Sequence, residues 1–161
     1  MIDFTKSKQY TLSIRLSTDG FSFSIYNPIH DNSLSTIEKE TDTSLSLTAN
    51  LKATFRESDF LNHSYKRVNI MMADKRFTIV PLELFEEEQA ELLFYHNHQK
   101  RENETVICNI LKKNNVAIIF GMDKSAHTFL SEQYPEAHFY SQSTPLIDYF
   151  SVKSRLGNSK K

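Results

Sequence analysis

Three adjacent residues near the start of the chain, Thr18, Asp19 and Gly20, combine a hydroxyl, a carboxylate and a glycine. They separate two runs in which every second residue is apolar, as in the strands of a β-hairpin. A hairpin that opens an α/β chain can be one that binds phosphate, so the question is whether its turn carries catalytic residues. An Asp-Gly pair also favours a tight turn with positive φ angles, so a purely structural turn is the simpler interpretation.

Two histidines, His96 and His98, have the spacing that places side chains on one face of a strand, where a pair could contribute to a zinc site. The pair follows a predicted helix and enters a polar loop, and no cysteine or carboxylate supplies a recognisable third ligand. We therefore expect surface histidines and no metal. The single Cys108 lies in an apolar run, which favours a buried, unreactive thiol.

A third candidate pair is Asp123 with His127, spaced so that the aspartate could orient the imidazole for base catalysis on one helix face. Ser125 and Ser131 are near in sequence, but no G-x-S-x-G nucleophile elbow is present. Helix capping by Asp123 explains the aspartate with fewer assumptions.

Composition narrows the class of protein. The 161 residues are 39% hydrophobic, and 19 basic residues nearly balance 20 acidic ones. We therefore expect one folded α/β domain without the charge that attracts nucleic acid or an anionic membrane. No apolar run has the length of a signal peptide or a membrane span, which predicts a cytoplasmic protein. The three glycines are isolated and form no nucleotide-binding loop motif, so no cofactor is expected.

The predicted elements begin with strands and then alternate strands with helices, a pattern typical of a mixed sheet flanked by helices. Acidic residues crowd the helix expected after Pro81, where the helix dipole favours negative charge. The predicted strands are 10–16 and 21–26 (the hairpin), 34–39, 68–73, 76–80, 104–111, 115–122 and 137–140; the predicted helices are 47–55, 82–95, 124–134 and one that begins at Thr144-Pro145.

This order, opened by YTLSIRLSTDGFSFSIY and continued by VNIMMADKRFTIVPLELF, resembles the family called domain of unknown function 3822. The resemblance implies the fold of the actin-like ATPases, a ribonuclease-H-like sheet that begins with three antiparallel strands. Members of the family look like two such units side by side, and this chain looks like the first alone. We expect that unit over residues 1–155, with a frayed tail at 156–161.

The same resemblance bears on the hairpin turn. Working ATPases of this architecture carry Asp-x-Gly on the first hairpin, and alignment on Gly20 places Thr18 at the acidic position. Asp19 is then one residue out of phase and projects from the other face of the strand. Phe21 and Phe23 occupy a segment that usually carries small polar groups. The resemblance therefore implies no catalytic residue.

The leading hypothesis is a non-catalytic, degenerate actin-like module that associates with another protein, or with a second unit of its own architecture. A sheet edge or a hydrophobic interlobe surface could supply the contact, through strand addition or through aromatic anchors such as Phe21 or Tyr26. One alternative is a nucleotide-binding or ATP-hydrolysing protein that uses Thr18, Asp19 and Gly20. Another is a ribonuclease-H-like nuclease, in which Asp19, Asp74 and Asp123 would have to converge on two metal ions.

Overall fold

The computed structural model of the chain describes residues 3–27 and 34–145. The chain divides into two compact units. The first, here the five-stranded unit, is drawn from Met1–Ala73 and Asp123–Phe139, and the second, the three-stranded unit, from Asp74–Met122 and Tyr140–Lys161. No helix in the described ranges is both long and apolar enough to cross a bilayer.

The five-stranded unit is built on a mixed sheet with the strand order β3-β2-β1-β4-β8. Its first three strands form an antiparallel meander, and β4 pairs with β1 in parallel. The predicted mixed sheet and its antiparallel opening are therefore confirmed. The strands are β1 (Thr11–Leu16), β2 (Gly20–Tyr26), β3 (Leu34–Glu40), β4 (Arg67–Met72) and β8 (His138–Ser141).

The hairpin register explains why β1 and β2 form. Leu12 pairs with Ile25, and Ile14 pairs with Phe23. All four side chains are buried on one face of the sheet. Because side chains alternate between faces, the apolar period of two in the sequence fixes this pairing, and a slip by one residue would expose the whole set.

Two helices of the five-stranded unit begin at a side-chain cap, and the cap at Asp123 was expected from the sequence. The first helix, α1 (Leu47–Glu57), starts where Ser46 Oγ accepts a hydrogen bond from Ala49 N–H at 3.1 Å. The third, α3 (Lys124–Gln133), starts where the Asp123 carboxylate accepts one from Ala126 N–H at 2.9 Å. Each cap satisfies a backbone donor that the first helical turn leaves without a partner.

The three-stranded unit has its own sheet, in the order β5-β7-β6. The strands are β5 (Phe77–Pro81), β6 (Glu104–Leu111) and β7 (Val116–Asp123), and the helix α2 (Ala90–Asn97) lies between β5 and β6 along the chain. Val80, Ala90, Phe94 and Ile119 form the buried core of this unit. The apolar strand β7 is the central one.

The structure corrects the helix predicted after Pro81. Pro81 is the last residue of β5, and two short 3₁₀ turns, Leu82–Leu84 and Glu87–Gln89, follow before α2 begins at Ala90. Leu82 N–H donates to Asn115 O at 3.0 Å, which keeps the chain beside β7 for one residue beyond the strand. Most of the acidic run therefore precedes the α-helix, and the dipole explanation applies only to Glu91 in its first turn.

After α1 the chain forms a 3₁₀ turn, Asp59–Asn62, which contains Phe60. The final predicted helix, with Leu146, Ile147 and the residues that follow, and the frayed tail at 156–161 lie outside the described residues. One actin-like unit over residues 1–155 stays a prediction.

Candidate functional site

Thr18, Asp19 and Gly20 lie in the hairpin turn. The turn is closed by hydrogen bonds with Ser17, a residue that the sequence did not single out. Ser17 Oγ accepts a hydrogen bond from Gly20 N–H at 3.1 Å and donates one to Gly20 O at 2.8 Å. Ser17 N–H also donates to Gly20 O at 3.0 Å. Both backbone polar groups of Gly20 are therefore used within the turn.

The expected positive φ angles at Asp19 and Gly20 are wrong. Among the described residues, positive φ occurs only at Asn103 and Asn115 and at no glycine. Glycine is needed at position 20 for a different reason, since a Cβ there would lie 2.7 Å from Lys39 O on the neighbouring strand. The close approach of β3, and not a left-handed turn, therefore explains the glycine at position 20.

A second set of hydrogen bonds joins the turn to Thr41, the residue that follows β3. Thr41 Oγ1 donates to Thr18 O at 2.9 Å, and Thr41 N–H donates to Asp19 O at 3.4 Å. The side chains of Thr18 and Asp19 are exposed. Sequence reasoning could not assign Thr41, because the contact spans 23 residues.

The strand after the turn presents its aromatic rings to the core. Phe21 and Phe23 are buried, and the Phe23 ring meets that of Phe60 edge-on with centroids 5.7 Å apart. The prediction of Phe21 as a partner-binding anchor is therefore wrong, since its side chain is enclosed by its own chain. Tyr26 remains exposed.

Asp123 caps α3, as the sequence indicated, and also reaches α1. Its Oδ1 accepts a hydrogen bond from Thr48 Oγ1 at 3.4 Å in addition to that from Ala126 N–H. His127, one turn further along α3, packs against Phe139 with ring centroids 4.5 Å apart. Burial lowers the pKa of His127 and favours its neutral form.

The two histidines considered as a zinc pair have different surroundings, and the expected surface position is correct for His96 but wrong for His98, which is half-buried. His96 is exposed on α2, whereas the ring of His98 stacks on Phe94 with centroids 4.5 Å apart. His98 Nε2 lies 3.0 Å from both Phe77 O and Thr78 Oγ1, so this ring ties the end of α2 to β5. Across residues 3–27 and 34–145, no three His, Cys, Asp or Glu side chains form a group able to hold a metal ion.

The three aspartates considered for a nuclease site, Asp19, Asp74 and Asp123, each lie in a different local environment. Asp74 accepts a hydrogen bond from Arg76 N–H at 3.2 Å and lies 3.8 Å from Arg101 Nη1. Asp19 is exposed in the hairpin turn, and Asp123 is the helix cap. The part of the chain that the structure describes therefore holds no carboxylate cluster of the kind that two-metal hydrolysis uses.

The largest feature that sequence reasoning missed is a buried ion pair in the three-stranded unit. Arg76 binds Glu104 through two parallel contacts, Nε to Oε2 at 2.7 Å and Nη2 to Oε1 at 2.8 Å. The two side chains are only 7% and 5% exposed. Tyr95 Oη donates to Glu104 Oε1 at 2.9 Å, and Arg76 Nη2 also donates to Gln99 O.

These contacts determine the charge of each partner. Burial alone would raise the pKa of Glu104, but hydrogen bonds from Arg76 and Tyr95 outweigh it and hold the pKa below its ordinary value. The hydrogen bond to Glu104 raises the pKa of Arg76. Burial, followed by that same carboxylate, raises the pKa of Tyr95 to about 12. Glu104 is therefore ionised at neutral pH, and its bidentate, enclosed geometry is that of a structural pair.

A glycine and a cysteine of the same unit are explained by their neighbours. A Cβ on Gly121 would overlap Glu104 Oε2, so glycine in the central strand leaves room for the ion pair. Cys108 packs against the core of the unit. Burial and, after it, the charge of Glu87 raise the pKa of its thiol. Cys108 is half-buried and not, as predicted, fully enclosed, and its raised pKa disfavours the reactive thiolate form.

Comparison with known proteins gives a family and a fold. The family model described as "Protein of unknown function (DUF3822)" matches residues 1–161. A solved structure from Bacteroides thetaiotaomicron, described as a protein with an actin-like ATPase fold and unknown function, is 84% identical and superposes with a TM-score of 0.92. The match covers 97% of this chain and 61% of that one. None of the curated proteins compared with the sequence matches it.

Proposed function

Because the chain belongs to the DUF3822 family and has the actin-like ATPase fold, we propose that it is a non-catalytic actin-like module that acts by protein association. Its partner is another protein or a second unit of the same architecture. The chain spans 61% of the length of its solved neighbour, so an association with a second unit is part of the proposal. We place the module in the cytoplasm, without a nucleotide, metal or nucleic acid.

The hairpin turn is the observation that carries this proposal. A phosphate-binding turn needs backbone N–H groups that converge on the ligand. Here Gly20 N–H already donates to Ser17 Oγ, while the carbonyl groups of Thr18 and Asp19 accept from Thr41. A phosphate that took the glycine amide would have to displace the serine hydroxyl and open the turn.

The surroundings of the turn support the same conclusion. The residue at the expected acidic position is Thr18, which has no carboxylate to hold metal-bound water. The next residues along β2 alternate buried aromatic rings with half-buried serines. Those rings build the core, so the hairpin is a scaffold for the sheet.

Calorimetric titration with ATP and Mg²⁺ tests the absence of nucleotide chemistry. We expect no heat of binding and no thermal shift for the wild type or for Asp19→Ala. Ser17→Ala removes the hydroxyl group that hydrogen-bonds to Gly20 but leaves Asp19 in place, so it serves as the matched control variant. Binding by the wild type that Asp19→Ala abolishes would establish the nucleotide-binding alternative.

Association is tested separately by sedimentation of the purified protein and by cross-linking in the cells that produce it. We expect a defined complex, either of the chain with itself or with a second protein. A chain that stays monomeric at high concentration, and that gives no specific cross-linked product in its own cells, would contradict the proposal.

A further inference from the structure

The two most exposed large apolar side chains of the described residues are Leu84 and Leu92, which are 69% and 72% exposed. Leu84 ends a 3₁₀ turn, and Leu92 lies in the first turn of α2. We use the name acidic leucine surface for these two leucines and the exposed acids that lie between and beside them in the sequence. Its members are Glu83, Leu84, Glu86, Glu87, Glu88, Glu91 and Leu92.

The inward side of this segment is already filled. Phe85 and Leu93 pack against the core formed by Val80, Ala90, Phe94 and Ile119. Leu92 is adjacent to Leu93 on a helix, so the helical turn directs it away from that core. The exposure of Leu92 therefore belongs to an outward helix face and does not reflect loose packing of α2.

The formally charged side chains of the segment that carries the leucines are all acidic. Five glutamates and no lysine or arginine occur between Phe77 and Gln99. The 15 acidic residues outside this segment are outnumbered by the 19 basic residues of the chain, so the excess of negative charge is confined to the segment. Exposed apolar groups within a negative field attract a partner that is apolar and basic, and repel an acidic one.

We propose that the acidic leucine surface binds a basic amphipathic helix of a partner protein. The apolar face of that helix covers Leu84 and Leu92, and its lysines and arginines pair with the surrounding glutamates. A second copy of this chain fits less well, because a two-fold contact would bring the same acidic segment against itself. This inference names the partner class and rests on the proposed association function.

A short synthetic helix with leucine on one face and lysine on the other is the direct probe. Fluorescence anisotropy should show binding to the wild-type protein that weakens as salt is added. Leu84→Ser and Leu92→Ser should each weaken binding roughly tenfold, because each removes an apolar anchor. Glu88→Lys combined with Glu91→Lys should reverse the local charge and weaken binding at low salt.

Matched controls come from the five-stranded unit. Leu45→Ser alters another half-exposed leucine, and Glu136→Lys reverses another exposed acid. Both should bind the probe as the wild type does. A scrambled peptide of the same composition, and a leucine–glutamate helix, should bind at least tenfold more weakly. Circular dichroism and urea unfolding establish that the variants are folded.

Several results would overturn the inference. Equal binding of the scrambled peptide, or equal weakening by the control variants, would show attraction by charge without a specific surface. A change in sedimenting mass for Leu84→Ser or Leu92→Ser would show that a second copy covers the leucines.

The cellular cross-linking experiment separates this inference from the proposed function. A cross-linked partner that is retained by wild type and Leu92→Ser alike would leave association standing and place it on another surface. Specific binding of the synthetic helix with no partner in cells would leave the surface standing and contradict the association function. A partner retained by wild type and by Leu45→Ser but lost in Leu92→Ser would support both.

Discussion

At the scale of single residues, the Arg76–Glu104 pair dominates the three-stranded unit. Each charge would be costly to bury alone, and the cost is offset by their two parallel hydrogen bonds and by the contacts to Tyr95 and Gln99. Removing one partner leaves the other charged and enclosed. Removing both charged side chains leaves an apolar site in which two neutral groups, Tyr95 Oη and Gln99 O, have lost a hydrogen-bond partner.

We predict that Arg76→Met lowers the free energy of unfolding by about 3–5 kcal/mol at neutral pH. The double variant Arg76→Met/Glu104→Leu should lose much less than the sum of the single changes, because no unpaired charge remains. Urea unfolding of the wild type, the two single variants and the double variant measures this coupling.

Arg101→Met is the control for that cycle. Its ion pair with Asp74 is 3.8 Å long and largely exposed, so the loss should be about 0–1 kcal/mol. Similar losses for Arg76→Met and Arg101→Met would show that burial does not determine the strength of the inner pair.

The same pair predicts how stability depends on pH. The folded-state pKa of Glu104 lies below its unfolded value of about 4.3, so its contribution is complete above that value. It is lost as the pH falls through the folded-state pKa. In Arg76→Met, burial without the guanidinium should raise the pKa instead, so the deficit relative to wild type should shrink in acid. Unfolding curves from neutral to acidic pH measure the difference, and a constant deficit would contradict it.

The Arg76–Glu104 pair could not be predicted from the sequence, for a physical reason. Arg76 and Glu104 are 28 residues apart, and each stands at the edge of a predicted strand like many other charged residues. The one local signal was Gly121, an isolated glycine in an otherwise bulky strand. Such a glycine indicates a close approach by some group but does not identify the group.

At the scale of elements, the starts of helices could be predicted from the sequence where the capping side chain and the N–H group that it accepts from lie within one helical turn. Ser46 and Asp123 accept from backbone N–H groups three residues later, and both helix starts were predicted. The segment after Pro81 was predicted incorrectly because proline suits both the first turn of a helix and the end of an edge strand. The contact that separates these possibilities, Leu82 N–H to Asn115 O, is not local.

The Asp123 cap gives an element-scale prediction. Asp123→Ala should lower the free energy of unfolding by about 0.5–2 kcal/mol, since Ala126 N–H and Thr48 Oγ1 both lose their acceptor. Asp123→Asn keeps a side-chain oxygen at the cap and should recover most of that loss. Thermal or urea unfolding measures both variants, and equal losses would show that capping is not the main role of this residue.

At the scale of the whole molecule, the mixed sheet followed from the order of the elements, and its opening by three antiparallel strands followed from the family resemblance. The division of the strands between two sheets did not. Apolar periodicity indicates which face of a strand is buried but not which strand lies beside it. The pairing of Thr78 with Ile119 joins positions 41 residues apart, with α2 and β6 between them.

The parallel pairing of β1 with β4 has a consequence for synthesis on the ribosome. β2 follows β1 after a three-residue connection, whereas roughly fifty residues separate β1 from Arg67, where β4 begins. At about 5–20 residues per second, translation takes about 3–10 s to cover that distance. Through that interval the nascent chain displays one unpaired side of a strand that carries Leu12, Ile14 and Leu16. This is the kind of edge that aggregates or recruits chaperones, and it is shielded only when β4 has been made.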